Sequence, residues 1–211
     1  MVMGAGRVRQ YAALYHDHVL VKEPGADRPT PWHHDQPYYP IDGDKNCSIW
    51  LPVDPVPREV SLKFLRGSHR WGRLYRPRKF ATGLNYHPEY STQDLDNYWD
   101  LDTLDVSEHE ILQWELQVGY LITSRYKPAV TMPGDCVVFH MKTLHSAGPN
   151  LGSFPRRVLS TRWLGDDCRM APRPWQVSPP TMGGLTVGDR AVSEEFPVLW
   201  RKGDYAPPLY S

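Results

Sequence analysis

Residues 31–40, PWHHDQPYYP, contain two adjacent histidines and a carboxylate in a segment bounded by prolines. Neighbouring residues of an extended chain point in opposite directions, whereas residues i and i+2 share a face. His33 and Asp35 can therefore reach one point inside a β-barrel, while His34 faces away and is the poorer ligand. An imidazole and a carboxylate on one face supply two ligands of a 2-His-1-carboxylate iron site.

The prolines and glycines indicate the fold class, because 21 prolines and 16 glycines divide the chain into short segments. This pattern disfavours a helical bundle and favours strands joined by turns. Short strands between turn signals predict a mostly β, antiparallel jelly roll. Apolar and β-branched stretches predict the strands at 11–21, 47–54, 60–67, 119–126, 129–132, 136–140 and 156–165.

These segments indicate one domain over residues 1–211. We expect its core at about 11–167 and an inserted, partly helical lid at about 75–115. An irregular, proline-rich C-terminal tail follows at 168–211, and residues 156–165 are expected to form the last strand of the core.

The composition of the 211-residue chain excludes several classes of function. Its 24 Lys plus Arg balance its 24 Asp plus Glu, so no net charge favours nucleic acid or an anionic membrane. No apolar run is long enough to span a bilayer, and the N-terminus lacks the order of a signal peptide. Three scattered cysteines form no CxxC pair and favour a reducing compartment, so we expect a cytoplasmic protein.

The charges of the predicted lid are unevenly distributed. Seven Lys or Arg lie within 63–79, whereas eight Asp or Glu and no Lys or Arg lie within 91–115. Such runs are more often solvated faces that pair with each other than contacts for an anionic substrate. Ser107 and Glu110 have capping-box spacing, which predicts a short helix. Four aromatic residues are candidates either for the core or for a substrate pocket: Tyr86, Tyr98, Trp99 and Trp114.

The third ligand of the iron site must be a distant histidine. The candidates are His69, His87, His109, His140 and His145. The residue pattern alone does not rank His140 and His145 cleanly. A second requirement favours His145, because an oxo acid needs a fixed cation and Arg offers a bidentate partner for its carboxylate. Three arginines lie on the strand predicted after His145: Arg156, Arg157 and Arg162.

Five segments together resemble the phytanoyl-CoA dioxygenase (PhyH) family of Fe(II)/2-oxoglutarate oxygenases. They cover about residues 15–170 in the family's order: LVKEPG with TPWHHDQPYYP, SIWLPVD, LKFLRGSHRWG, PGDCVVFHMKTLHSAGPN and RRVLSTRWLGDD. The resemblance implies a double-stranded β-helix and the iron ligands His33, Asp35 and His145. It also implies that Arg156, eleven residues after His145, binds the 2-oxoglutarate carboxylate. Trp50 and His18 match positions that contact the co-substrate in the family.

The same resemblance implies an activity: hydroxylation of an unactivated C–H bond in a small organic substrate. Fe(II) is the implied cofactor, and 2-oxoglutarate and O2 are converted to succinate and CO2. Ascorbate is expected only as an in vitro reductant. Related halogenases have a small residue in place of the carboxylate ligand, so Asp35 favours hydroxylation.

Two alternatives stay open at this point. The N-terminal segment, about ten residues before the first predicted strand, is shorter than is usual for the family. A truncated, non-catalytic family member is therefore one alternative, and a cupin-like metal-binding protein without 2-oxoglutarate chemistry is the other. No nucleic-acid or membrane partner is expected, and the pattern leaves homo-oligomerisation and the substrate open.

Overall fold

The chain folds into short antiparallel strands, which a computed structural model describes over residues 10–87, 93–117, 121–124, 127–131 and 134–203. The strands are β1 (Tyr11–Lys22), β2 (Thr30–His33), β3 (Ile41–Asp42), β4 (Asn46–Pro52), β5 (Leu62–Leu65), β6 (Leu74–Tyr75), β7 (Tyr98–Trp99), β8 (Ile111–Gln113), β9 (Leu121–Ser124), β10 (Lys127–Thr131), β11 (Val137–Phe139), β12 (His145–Ala147), β13 (Arg156–Leu164), β14 (Arg169–Met170) and β15 (Val198–Arg201). The mostly β jelly roll expected from the residue pattern is thereby confirmed. The predicted residues 88–92 of the lid, 204–211 of the tail, and 119–120, 125–126 and 132 near β9 and β10 lie outside the described ranges.

Two sheets carry the fold. The larger has the order β11-β4-β13-β1-β15, and the smaller has the order β2-β12-β5-β8. Residues of β13 alternate between buried and more exposed positions, as expected of a strand with one face on a core. Trp50 and Val158 of the larger sheet bury in one apolar cluster with Phe64 and Ala147 of the smaller sheet. The two inner faces therefore share a core, and the candidate ligands lie at its edge.

The predicted lid contains helical structure only as single 3-10 turns within its described part. These turns are Gln93–Asn97, Leu101–Thr103 and Val106–Glu108. The capping box predicted at Ser107 is wrong, because the Asp105 carboxylate caps the turn by accepting a hydrogen bond of 2.9 Å from the Ser107 amide. Asp, like Ser, is a favoured capping residue, and here it lies two positions earlier in the chain.

The basic and acidic runs pair with each other, as the residue pattern favoured. Arg66 lies 2.8 Å from Glu110, and Arg78 lies 2.6 Å from Asp102 and 3.4 Å from Asp100. Arg66 and Glu110 are largely exposed, so this pair contributes little to stability. The Arg78 side chain is mostly buried, and its two carboxylates fix the start of the hairpin formed around the Arg78–Asn85 bridge.

The tail does more than was expected of an irregular segment. Strand β14 pairs with β3, and β15 joins the edge of the larger sheet by pairing with the start of β1. The prediction that residues 156–165 form the last strand is therefore wrong. Phe196 from the tail is buried in one apolar cluster with Tyr15 and Tyr39, and this burial of apolar surface favours packing of the tail on the sheet. Among the described residues, no helix has the length and apolarity that crossing a bilayer requires.

Candidate metal centre

The three predicted ligands meet at the junction of β2 and β12. These strands pair antiparallel, with the Cα of His33 opposite that of His145, and the two imidazole centroids lie 4.1 Å apart. Asp35 lies just beyond the end of β2, in a right-handed helical conformation that opens the 3-10 turn Gln36–Tyr38. The Asp35 Oδ1 atom lies 3.9 Å from Nε2 of His33 and 3.8 Å from Nε2 of His145.

The route to this cluster differs from the prediction in one respect. A shared strand face was expected to place His33 and Asp35 together, but the strand ends at His33 and the following turn brings the carboxylate back. The three ligand atoms nonetheless lie within 4.8 Å of one another, and all three residues are buried. Adjacent ligands that each bind one ion at about 2.1 Å lie about 3 Å apart and opposite ones about 4.2 Å, so the separations of 3.8 and 3.9 Å need to shorten by less than about 1 Å for a facial set around a single cation.

Both histidines are oriented by backbone carbonyls. Nδ1 of His33 donates to the Pro31 carbonyl at 2.8 Å, and Nδ1 of His145 donates to the Thr143 carbonyl at 2.9 Å. Because a carbonyl can only accept, the proton is on Nδ1, and the Nε2 lone pairs point into the cluster. Burial lowers the pKa of His33 to about 3 and also lowers the pKa of His145. Both rings are therefore neutral at pH 7, as a metal ligand requires.

The carboxylate is held through its second oxygen. Ser48 donates a hydrogen bond to Oδ2 of Asp35, and Nε of Arg162 lies 3.1 Å from the same oxygen. Burial is the largest single influence on the pKa of Asp35 and raises it, but the Arg162 guanidinium, the two neighbouring imidazoles and the Ser48 hydrogen bond together outweigh burial, so the net pKa is well below the usual value. Oδ2 is thereby occupied by protein donors, and Oδ1 is left to face the two imidazoles.

The remaining histidines do not join this cluster. Nε2 of His34 accepts a hydrogen bond of 2.8 Å from the Tyr75 amide, so this ring faces away from Asp35 as expected and joins the segment after β2 to β6. His69 and His140 stack on each other, and His109 packs against Trp71. In the ranges that the structure covers, His33, Asp35 and His145 form the single group with three ligand atoms close enough for a metal.

A cavity of about 470 Å³ opens onto the three ligands, and one end of it is cationic. Arg156 lies there with its guanidinium 5.4 Å from the ring centre of Trp50, and its Nη1 donates to the Val60 carbonyl. Burial lowers the pKa of Arg156 to about 10. His18 lines the same cavity, and burial lowers its pKa to about 4. The three residues predicted to contact the co-substrate thus line one cavity, whereas Arg157 points outward and pairs with Asp54.

Another part of the cavity wall is aromatic. The Phe80 ring lies 4.6 Å from the His33 ring, and Tyr38 packs against both Phe80 and Tyr86. The Tyr38 hydroxyl is already satisfied, because it donates to the Arg78 carbonyl and accepts from the Arg78 amide. Of the four aromatic candidates, Tyr86 lines this cavity, Tyr98 packs on Trp175, and two tryptophans are about half exposed, namely Trp99 and Trp114.

Two further residues of this site have a recognisable signal in the sequence, and a third has none. Ser48 is two residues before Trp50, so both share the inward face of β4. Arg162 is six residues after Arg156 and therefore shares the inward face of β13. Phe80 had no such signal, because the hairpin that places it beside His33 is defined by pairings within the lid.

Sequence comparison gives two matches. The family model described as phytanoyl-CoA dioxygenase (PhyH) matches residues 3–158. A relative from Stutzerimonas stutzeri, described as a probable alpha-ketoglutarate-dependent hypophosphite dioxygenase, is 26% identical over 153 residues. The match covers 72% of this chain and 45% of the relative, so the chain spans less than half of that protein's length.

Solved structures share the fold. The non-heme alpha ketoglutarate dependent epimerase SnoN from nogalamycin biosynthesis superposes with a TM-score of 0.58 at 20% identity, over 89% of this chain and 64% of SnoN. The carbocyclase SnoK from the same biosynthesis gives 0.58 at 22% identity, over 89% of this chain and 62% of SnoK. A second SnoN structure, in complex with Fe3+, alpha ketoglutarate and nogalamycin RO, also gives 0.58, at 21% identity over 89% of this chain and 65% of that one.

Proposed function

The chain belongs to the phytanoyl-CoA dioxygenase (PhyH) family, and from this premise we propose that it is an Fe(II)- and 2-oxoglutarate-dependent oxygenase that hydroxylates a small organic molecule. The observation that carries the proposal is the convergence of two imidazole Nε2 atoms and one carboxylate oxygen at the wall of a cavity with a buried arginine at one end. The fold shared with SnoN supports the proposal, and so does the sequence similarity to the relative from S. stutzeri.

The donor set fits iron on its own chemistry. Two neutral imidazoles and one carboxylate are the ligand set that non-heme Fe(II) oxygenases use, and they would leave coordination positions open for other ligands. His33 and His145 supply nitrogen lone pairs fixed by their Nδ1 hydrogen bonds, and Asp35 supplies Oδ1. Ser48 and Arg162 hold the other carboxylate oxygen, which favours binding through one oxygen only.

When bound with 2-oxoglutarate and O2, iron would supply the oxidising chemistry that converts the co-substrate to succinate and CO2 and inserts one oxygen atom into a substrate C–H bond. The chain's own groups bind, orient and exclude water. Arg156 places a guanidinium against the Trp50 ring, where it can pair with a carboxylate of the co-substrate. Trp50 and Phe139 keep this part of the cavity apolar, which strengthens that pair.

The substrate would approach along the aromatic part of the wall. Phe80 lies next to His33 and is 48% exposed, so a substrate that packs on this ring is held beside the metal position. Two polar groups of this wall are paired within the protein: Nη2 of Arg78 with its two carboxylates and the Tyr38 hydroxyl with the Arg78 backbone. Such a wall favours an apolar or ring-shaped part of an organic molecule over a small inorganic anion.

Two steps test this function. Anaerobic addition of 2-oxoglutarate to the Fe(II)-loaded chain should produce a weak visible charge-transfer band, which reports that the oxo acid binds the metal. Exposure to O2 with pooled metabolites should then produce succinate above the level without substrate, and the stimulating compound can be isolated from the pool. A chain that binds Fe(II) but gives no such band would be a metal-binding protein without 2-oxoglutarate chemistry. A chain without Fe(II) affinity would be a non-catalytic member of the family.

A further inference from the structure

Four cations line the cavity, and they differ in how their charge is balanced. Arg162 pairs with Asp35, and Arg78 pairs with Asp100 and Asp102. The other two cations are Lys22 and Arg156. Within the described ranges, no carboxylate lies within 4.0 Å of either, although both lie at the same end of the cavity.

Lys22 and Arg156 are direct neighbours across two strands. Their Cα atoms are paired in the register of β1 and β13, and both side chains lie on the inner face of the sheet. Directly opposite residues on one face bring their side chains together, and like charges in that position destabilise a sheet. Burial, together with the Arg156 charge, lowers the pKa of Lys22 to about 8. The pair is therefore electrostatically unfavourable while the cavity holds no anion.

Both side chains also keep donors that the protein does not use. The Lys22 ammonium donates to the Gly148 carbonyl at 2.7 Å and to the Arg28 carbonyl at 3.2 Å, which leaves one of its three N–H groups. Arg156 donates from Nη1 to Val60, while its buried Nε has no hydrogen-bond partner. Nε also lacks a hydrogen-bond partner in five other described arginines, so the inference rests on the remaining Lys22 N–H group and on the guanidinium beside it, which one anion can accept from together.

We propose that Lys22 is a second anion-binding residue of this site and that it binds, together with Arg156, the distal carboxylate of the 2-oxo dicarboxylate. The inference rests on the proposed function and adds to it a residue on a different strand. One carboxylate has two oxygens, so it can accept from the ammonium and the guanidinium at once and balance two like charges. A 2-oxo acid without a distal carboxylate would leave both charges unbalanced.

The test compares two oxo acids on three proteins. The Fe(II)-loaded wild type, Lys22→Met and Lys63→Met are titrated anaerobically with 2-oxoglutarate and with 2-oxobutyrate, which lacks the distal carboxylate. The visible charge-transfer band reports binding without turnover. Lys22→Met should bind 2-oxoglutarate about tenfold more weakly and 2-oxobutyrate as the wild type does. Lys63, on β5 and outside the cavity lining, is the matched control and should change neither affinity.

A purely structural role for Lys22 predicts a different result. The Lys22 ammonium also donates a hydrogen bond to the Gly148 carbonyl and so holds the start of the loop after β1, which means that loss of this side chain could disturb the whole site. Equal weakening of both oxo acids, or no change for either, would overturn the proposal. Lys22→Gln keeps a donor for the carbonyls but removes the charge, and it should weaken only 2-oxoglutarate even if Lys22→Met is poorly folded. A wild type that gives no band with either oxo acid would overturn the proposed function, and this inference with it.

Discussion

Nε of Arg162 lies 3.1 Å from Oδ2 of Asp35, and each of these side chains is only 6% exposed. The partners are on β13 and on the turn after β2, so the ion pair joins the larger sheet to the metal centre. A buried ion pair is weak evidence for stability by itself, but removing one partner leaves a charge that no solvent can screen. Here the remaining charge would belong to a proposed metal ligand.

Arg162→Met should destabilise the metal-free protein by about 3–5 kcal/mol, because the buried Asp35 carboxylate loses its cation. A bound divalent ion can take over that role, so saturating Mn(II) should restore more stability to the variant than to the wild type. Urea unfolding with and without Mn(II) measures both effects. The same gain from Mn(II) in the two proteins would show that the pair supports the fold and not the ligand.

Replacing any one of the three proposed ligands should remove the metal site. His33→Ala, Asp35→Ala and His145→Ala should each weaken Fe(II) binding by more than about a hundredfold, because loss of a direct ligand costs more than loss of its supporting contacts. Anaerobic titration with a competing chelator gives the affinities. His69→Ala is the control, since His69 packs on His140 away from the cluster, and it should bind Fe(II) as the wild type does.

Arg156 and its neighbour Arg157 allow a matched test of which arginine binds the co-substrate. Arg156 is 5% exposed in the cavity, whereas the adjacent Arg157 points outward to Asp54. Arg156→Met should weaken 2-oxoglutarate binding by about ten- to a hundredfold, because a charged hydrogen-bonded pair is lost from a desolvated site. Arg157→Met should leave that affinity unchanged. Equal effects in the anaerobic Fe(II) titration would place the co-substrate elsewhere.

The pH dependence of co-substrate binding follows from Lys22. Its pKa, lowered to about 8 by burial and by Arg156, means that the ammonium is charged below that pH and neutral above it. If the charged form binds the carboxylate, 2-oxoglutarate affinity should be highest near pH 7 and fall by up to about tenfold towards pH 9. Arg156, with a pKa of about 10, and His18, with a pKa of about 4, do not change charge over most of that range. Lys22→Met should abolish the dependence, and persistence of the slope in the variant would assign it to another group.

Local patterns predicted the parts of this fold that depend on local physics. The alternating or β-branched stretches correctly located β1, β4, β5 and β13, because a strand with one buried face leaves a period of two in the chain. The His33 and Asp35 spacing and the arginines after His145 led to the residues that the fold brings together. Each of these signals lies within a few residues of chain.

Local sequence patterns could not predict the contacts between distant segments. Arg162 was one of three candidate arginines for a carboxylate clamp, and only the fold shows that it pairs with Asp35 while Arg156 lies beside Trp50. The residue pattern of β15 resembles other short apolar runs between prolines, and its place in the larger sheet depends on its pairing with β1. Contacts between distant segments have no local periodicity from which they could be predicted.

The structure of the tail was the part least predictable from the sequence. Its contribution to the free energy of unfolding can be measured directly. Phe196 is 2% exposed, and its ring lies 4.7 Å from that of Tyr15, which in turn packs edge-on against Tyr39 of the cavity wall. Phe196→Ala should therefore cost about 3–5 kcal/mol of unfolding free energy, the range for a truncated core aromatic. The control is Phe154→Ala, where the ring is 80% exposed and the change should stay within about 0.5 kcal/mol. Urea unfolding compares the two variants, and equal small losses would mean that the tail does not share the cooperative core that supports the metal centre.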